Sequence, residues 1–97
     1  MEFQWDALKS ASNEKKHGFD FDLAKEVFED PLHKAIPVFG GGEPRSKVIG
    51  LIEKVACVVV IHTNRTENGT EFCRIISARK ASRKERNEYD CNSKKPT

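Results

Sequence analysis

The sequence has no apolar run approaching the roughly 18 residues that a membrane-crossing helix requires, so no such helix is expected. Its opening, Met1-Glu2-Phe3-Gln4-Trp5-Asp6, lacks the basic start and apolar stretch of a secretory leader. The cytoplasm is therefore the expected location. Without export, Asn64-Arg65-Thr66 and Asn68-Gly69-Thr70 are chance matches to the glycosylation acceptor pattern. Cysteine is scarce. Cys57, Cys73 and Cys91 are an odd set with no close pair, which argues against both a disulfide framework and a zinc motif. Cys57 and Cys73 lie in apolar runs and are expected as buried thiols, while Cys91 borders a polar tail. No internal repeat, no metal-ligand cluster and no telling pair of carboxylates is present, so neither a metal nor a cofactor is expected.

Charge is plentiful instead. Among the 97 residues 33% are charged and 37% apolar, which suits one small soluble domain with one core. A net charge of +2 decides little, but its distribution does more. Residues 1–73 carry 9 Lys+Arg against 12 Asp+Glu, a net of −3, and residues 74–97 carry 8 against 3, a net of +5. A chain polarised this way should present one positive face to phosphates or to an acidic partner.

The pattern along the chain predicts a strand at 2–5 and a helix from Ala7 to His17, capped by Asp6 and ended by Gly18. Asp20 should cap a second helix over Phe21–Glu29, where Phe21, Ala24 and Phe28 recur at helical spacing, and Asp30-Pro31 should end it. A short extended piece follows at 32–36. Phe39-Gly40-Gly41-Gly42-Glu43-Pro44 is the clearest loop. Arg45–Glu53 and Val55–His62 read as strands, the second covered on both faces, and Thr63–Gly69 as a turn before a strand over Thr70–Arg79. Ser82-Arg83-Lys84-Glu85 is a capping box that should start a last helix over Arg83–Cys91. The expected fold is α+β, with a small antiparallel sheet, two N-terminal helices and one C-terminal helix. Residues 1–91 form its single domain and 92–97 a disordered polar tail.

The run Arg74-Ile75-Ile76-Ser77-Ala78-Arg79-Lys80-Ala81-Ser82-Arg83-Lys84-Glu85-Arg86 resembles the C-terminal signature of the BrnT family of ribonuclease toxins. Phe3-Gln4-Trp5-Asp6, Lys9, Asn13 and Lys16-His17-Gly18 resemble that family's opening, and Phe21 with Val27-Phe28-Glu29-Asp30-Pro31 its second helix. Arg45 through Ile49-Gly50, and Val58-Val59-Val60-Ile61-His62-Thr63, resemble its middle strands, and Tyr89 fits its tyrosine after the basic helix start. The resemblance spans about residues 1–90. It implies a RelE-like fold, endoribonuclease activity that inhibits translation and growth, and membership of a type II toxin–antitoxin pair. It further implies a cognate BrnA-type antitoxin that represses the shared operon, in an assembly of two toxins with two antitoxins. The chain departs from the family in having Pro44 where an acidic residue usually precedes the arginine, and His62-Thr63-Asn64 where Tyr-Thr-Glu is frequent.

Metal-independent RNA cleavage needs a base for the ribose 2′-hydroxyl, cations for the charge on phosphorus oxygens and an acid for the leaving 5′ oxygen. Arg79, at a strand end before the capped helix, is the first candidate, since its planar fork can hold phosphate oxygens in pairs. Arg74 is the second, although strict alternation sets Arg74 and Arg79 on opposite faces unless the strand bulges. His62 and His17 are the acid–base candidates, having an ordinary pKa of roughly 6.5, though His17 also suits a helix C-terminus. Arg45, Lys47, Lys80, Arg83 and Arg86 are candidates for RNA binding. The antitoxin is expected to cover Arg79 and the last helix. The alternative function is a non-catalytic module that binds RNA or antitoxin with the same face. A DNA-binding helix pair at 7–29 is disfavoured by its neutral to negative charge.

Overall fold

Asp6, by its carboxylate, and Gly18, by its lack of a Cβ, bracket the first helix. In the structure, a computed structural model that describes residues 2–39 and 42–93, helix α1 (Ala7–His17) follows strand β1 (Glu2–Gln4). The Asp6 carboxylate accepts from Leu8 N–H at 2.8 Å and Lys9 N–H at 3.2 Å, and Gly18 sits at φ 88°, the left-handed position open to glycine. The helix docks by polar contacts rather than by an apolar stripe. Ser10 Oγ accepts from Phe21 N–H at 2.9 Å, and Asn13 Nδ2 donates to Phe19 O at 2.9 Å.

The second helix is shorter than expected. It is α-helical only as α2 (Phe21–Ala24), then tightens into a 3-10 segment over Lys25–Glu29. Asp30 turns to extended backbone (φ −72°, ψ 115°), the conformation that a following Pro31 imposes. Strands β2 (Lys34–Val38), β3 (Arg45–Ile52), β4 (Ala56–Glu67) and β5 (Thr70–Lys80) follow, and helix α3 (Arg83–Ser93) closes the described chain. The helix runs two residues beyond its expected end at Cys91. The side chain of Cys91, the rest of the expected tail at 94–97, and Gly40 and Gly41 of the expected loop lie outside the described residues.

The five strands form one sheet in the order β1-β5-β4-β3-β2. It is mixed rather than antiparallel. Strands β2 to β5 are an antiparallel meander, but β1 pairs parallel with β5, as Glu2↔Phe72, Phe3↔Cys73 and Gln4↔Arg74. The helical segment between β1 and β2 removes any tight hairpin for β1, and a long connection permits parallel pairing at the far edge. Past Gln4, Asn13 Oδ1 accepts from Ala78 N–H of β5 at 3.3 Å, so α1 continues where the short edge strand stops.

Strand β4 also outruns its expected end at His62. Residues 63–67 stay in register with β5, and only Asn68-Gly69 turn, with φ 50° and 80°, the two positive values of a type I′ hairpin. Beyond Thr63 the ribbon projects past the core with exposed residues 64–67, which is why its polarity resembles a turn in the sequence.

Two apolar layers flank the sheet. One packs Phe19, Phe21, Ala24 and Val27 against Val48, Ile52, Val58, Val60, Ile75 and Ala78, with Phe3, Trp5 and Phe28 at its border. The other is smaller and sets Tyr89 of α3 on Ile49 and Val59. Val58, Val59 and Val60 are each fully buried, which explains the continuous apolar run in the central strand. Truncating Phe21 to alanine in the larger layer should cost about 3–5 kcal/mol.

Register in β5 is broken once. Ile61 pairs with Ser77 but His62 pairs with Ile75, so Ile76 is an extra residue, a β-bulge. The alternation of β5 therefore resets between its two halves.

Candidate nucleic-acid interface

The bulge brings the two arginines of β5 together. Arg79 pairs with Val59 and Arg74 with Thr63, and both partners are odd-numbered residues of β4 on the side that α3 covers. Were Ile76 paired in register instead of bulging, Arg74 would turn to the opposite side. Register carries more cations onto this face: Lys47 lies beside Ile61, and Arg45 is one step beyond the Ser46–His62 pair, next to Thr63. Thr63 Oγ1 donates to Pro44 O at 2.8 Å, fixing that corner. Strands are about 4.8 Å apart, so Arg45 and Arg74 flank Thr63 with backbones about 10 Å from each other.

These cations fall into two kinds. Arg79 and Lys47 are tied to Glu85 of α3. Arg79 Nη1 donates to Glu85 Oε1 at 2.7 Å, Arg79 Nη2 to Oε2 at 2.9 Å, and Lys47 Nζ to Oε2 at 3.2 Å. Glu85 also closes the capping box, accepting from Ser82 N–H at 2.8 Å and donating its own N–H to Ser82 Oγ at 3.2 Å. Its side chain is only 8% exposed. Hydrogen bonds from Arg79 outweigh burial, and those from Ser82 and Lys47 add to them, so the carboxyl is held far below the usual carboxylate range. The bond to Glu85 pushes the Arg79 guanidinium up in turn. By contrast, Arg45 and Arg74 have no ion pair or hydrogen bond from their side chains among the described residues.

Arg79 keeps capacity for a ligand. A guanidinium has five N–H donors. Two bind Glu85 and one reaches Lys80 O at 3.3 Å, which leaves two, on a side chain 44% exposed. Arg83 and Arg86 are exposed on α3. Tyr89 anchors that helix from below, its hydroxyl donating to Asp30 Oδ2 at 2.6 Å. The same carboxylate oxygen accepts from Leu51 N–H at 2.9 Å, so one side chain ties α3 to the rim of the sheet. Burial raises the Asp30 pKa, but the bonds from Tyr89, Leu32 and Leu51 bring it below normal, and burial with the Asp30 bond pushes the Tyr89 phenol up.

Two expected residues, His62 and Lys80, stand off this face, and His17 lies on a helix beside β5. His62 is an even-numbered residue of β4 and points into the larger apolar layer, its ring 5.1 Å from that of Phe28. It is buried, and Nδ1 has no hydrogen-bond partner. Burial lowers its pKa, only partly offset by a hydrogen bond with Asn64. Alternation along β4 therefore sends His62, an acid–base candidate, to the opposite side of the sheet from Arg74 and Arg79. His17 is exposed in the last turn of α1, which packs on β5. Lys80 pairs with Val58, whose side chain belongs to the larger layer, and so points away from Arg79. Sequence reasoning also missed two members of the face. Lys34 joins it by pairing with Ile49. Glu85 organises it, and the capping box was the available signal: that motif aims the Glu85 side chain back at the strand end where Arg79 stands. Among the described residues, no three His, Cys, Asp or Glu side chains gather in a way that could hold a metal ion.

Fold and face together define a small α+β protein with several cations gathered on one side of its sheet. The comparisons narrow that class. A family model described as the ribonuclease toxin BrnT of type II toxin–antitoxin systems matches residues 5–85. The chain belongs to this BrnT family of ribonuclease toxins, and so to the type II systems in which a toxin has an antitoxin partner. Among solved structures it is similar to the 1.1 Å crystal structure of the Brucella abortus ribonuclease toxin, BrnT, at 32% identity and a TM-score of 0.61, over 86% of this chain and 99% of that one. No curated protein matches it significantly.

Proposed function

We propose that the chain is a metal-independent endoribonuclease with a RelE-like fold, which holds RNA across the face of Arg45, Lys47, Arg74 and Arg79, with Arg83 and Arg86 extending the track. The observation that carries this reading is the β5 bulge, since it sets Arg74 and Arg79 on the same side as Arg45 and Lys47. The ribose 2′-oxygen attacks the adjacent phosphorus, its proton passing to solvent. The bond to the 5′ oxygen breaks, and that oxygen takes up a proton. Arg74 and Arg79 stabilise the charge on the non-bridging oxygens, the role in which fixed donors contribute most. Neither His62 nor His17 stands at the reacting phosphate in this reading, so electrostatic stabilisation carries the catalysis. The toxin acts in the cytoplasm, arrests growth, and is neutralised by a BrnA-type antitoxin that covers Arg79 and α3 in an assembly of two toxins and two antitoxins.

Incubating the purified protein with total RNA tests the proposal. New fragments are expected from the wild type and not from Arg74→Ala, whose melting should match the wild type because the Arg74 side chain has no ion pair or hydrogen bond among the described residues. Folded wild type that binds RNA and leaves it intact would overturn the reading in favour of a non-catalytic binding module.

A further inference from the structure

Phe39 is the most exposed apolar side chain of the described residues, at 90%, and it stands at the end of β2 beside Val38, itself 36% exposed. Both line a hollow of about 300 Å³ whose other walls are Pro37, Gly42, Glu43, Pro44 and Arg45. A second hollow of about 240 Å³ shares Glu43, Pro44 and Arg45 and continues to Ser46, Thr63 and Asn64. Arg45 lies on the wall common to both hollows. The second reaches Thr63, which Arg45 and Arg74 flank.

The chemistry of the first hollow is divided. Its apolar part is an aromatic ring, two prolines and a valine. On its wall stands Arg45, whose side chain has no ion pair or hydrogen bond among the described residues. The nearby acid, Glu43, has its own cation in Arg65, at 3.4 Å. An apolar slot with such a guanidinium on its wall suits a flat ring joined to an anion, and a nucleotide is both. A double helix cannot offer that pair, because its base faces are stacked inside and only base edges and backbone are exposed. Single strands expose base faces, and aromatic side chains hold them by stacking.

We infer that the Phe39 slot is a base-binding subsite: one unpaired nucleobase stacks on Phe39, with its phosphate on Arg45, so that the substrate is single-stranded RNA. This rests on the ribonuclease reading above and names the form of substrate that site takes. Stacking tolerates any base, so the subsite selects strandedness rather than sequence.

The test uses a short single-stranded oligonucleotide made uncleavable by 2′-O-methylation, with the same sequence as a duplex and with one abasic position as controls. Affinity is read by fluorescence anisotropy on the full chain, with wild type, Phe39→Ala and Phe39→Trp. The expected result is a loss of about tenfold or more for Phe39→Ala on the single strand. Duplex affinity should be unchanged, and Phe39→Trp should bind like the wild type with its added indole emission quenched by the bases but not across an abasic site. Single-strand affinity within twofold of wild type for Phe39→Ala would overturn the subsite while leaving the ribonuclease reading intact, provided the variant still cleaves RNA. A Phe39→Ala protein that keeps its oligonucleotide affinity but loses antitoxin binding would assign the slot to the partner instead and overturn it too. Wild type that binds neither oligonucleotide would remove both readings together. Phe39 is on the surface, so the alanine variant is expected to fold, and the tryptophan variant provides a second readout.

Discussion

Arg79 and Glu85 meet fork to fork, nitrogen to oxygen, at 2.7 and 2.9 Å, across the turn that joins β5 to α3. The pairing makes the strand end and the helix start one rigid unit, and it holds the guanidinium in a single plane. The carboxylate's folded pKa lies below its unfolded value, so the stability it supplies is present above the ordinary carboxylate pKa of about 4.3 and is lost as pH falls below that. Glu85→Gln should cost about 1–3 kcal/mol at pH 7 and flatten the loss of stability between pH 5 and pH 3. Denaturant unfolding at several pH values checks both outcomes.

A second prediction concerns the unpaired arginines. Arg45→Gln and Arg74→Gln should each weaken RNA binding and lower the slope of log affinity against log salt by roughly 0.7, the release expected for one phosphate contact on a single strand. Neither change should shift stability by more than about 0.5 kcal/mol, because neither removes a partner. Binding titrations at several salt concentrations distinguish this from a loss of folded protein.

His62 predicts a separate pH effect above the carboxylate range. Burial lowers its folded pKa below the ordinary value of about 6.5. The unfolded chain then binds more protons near pH 6, so the full contribution is present above about pH 6.5 and falls away as the medium is acidified through the lower folded value. The melting temperature should drop between pH 7.5 and 5.5 in the wild type and hold steady in His62→Phe, whose ring keeps the contact with Phe28. Thermal melts across that range give the answer.

Gly50 is fixed by close approach. A Cβ there would stand 3.1 Å from both Cβ and O of Val27 and 3.3 Å from Cβ of His33. Gly50→Ala should therefore cost about 1–3 kcal/mol by forcing the 3-10 segment off the sheet. A lower urea midpoint with an unchanged slope is the expected signature.

The caps, the C-terminal box and the buried central strand were legible because each rests on local chemistry: an acceptor for free N–H groups, a residue that tolerates positive φ, a run of β-branched side chains. What was not legible depends on partners distant in sequence. The docking of α1 uses Ser10 and Asn13, which leave no hydrophobic stripe to detect. The parallel pairing of β1 joins residues about 70 apart. Strand β4 past His62 wears polar residues on both sides and so imitates a turn. For the site, charge distribution and the likeness of residues 74–86 pointed to Arg74 and Arg79, and alternation posed the right question about them. The answer lay in register, which sequence patterns do not encode. Register likewise removed His62 and Lys80 from the face and added Lys34 to it.

The extra residue at Ile76 makes chain length between the two arginines a functional quantity. Lengthening that stretch by one residue that the bulge does not absorb would turn the buried Cys73 and Ile75 to the other side and drive the Arg74 charge into the larger layer, whereas deleting Ile76 would keep Ile75 opposite His62 and Arg74 opposite Thr63. An insertion there should thus be far more damaging than any single side-chain exchange at the same positions, because it inverts half a strand at once.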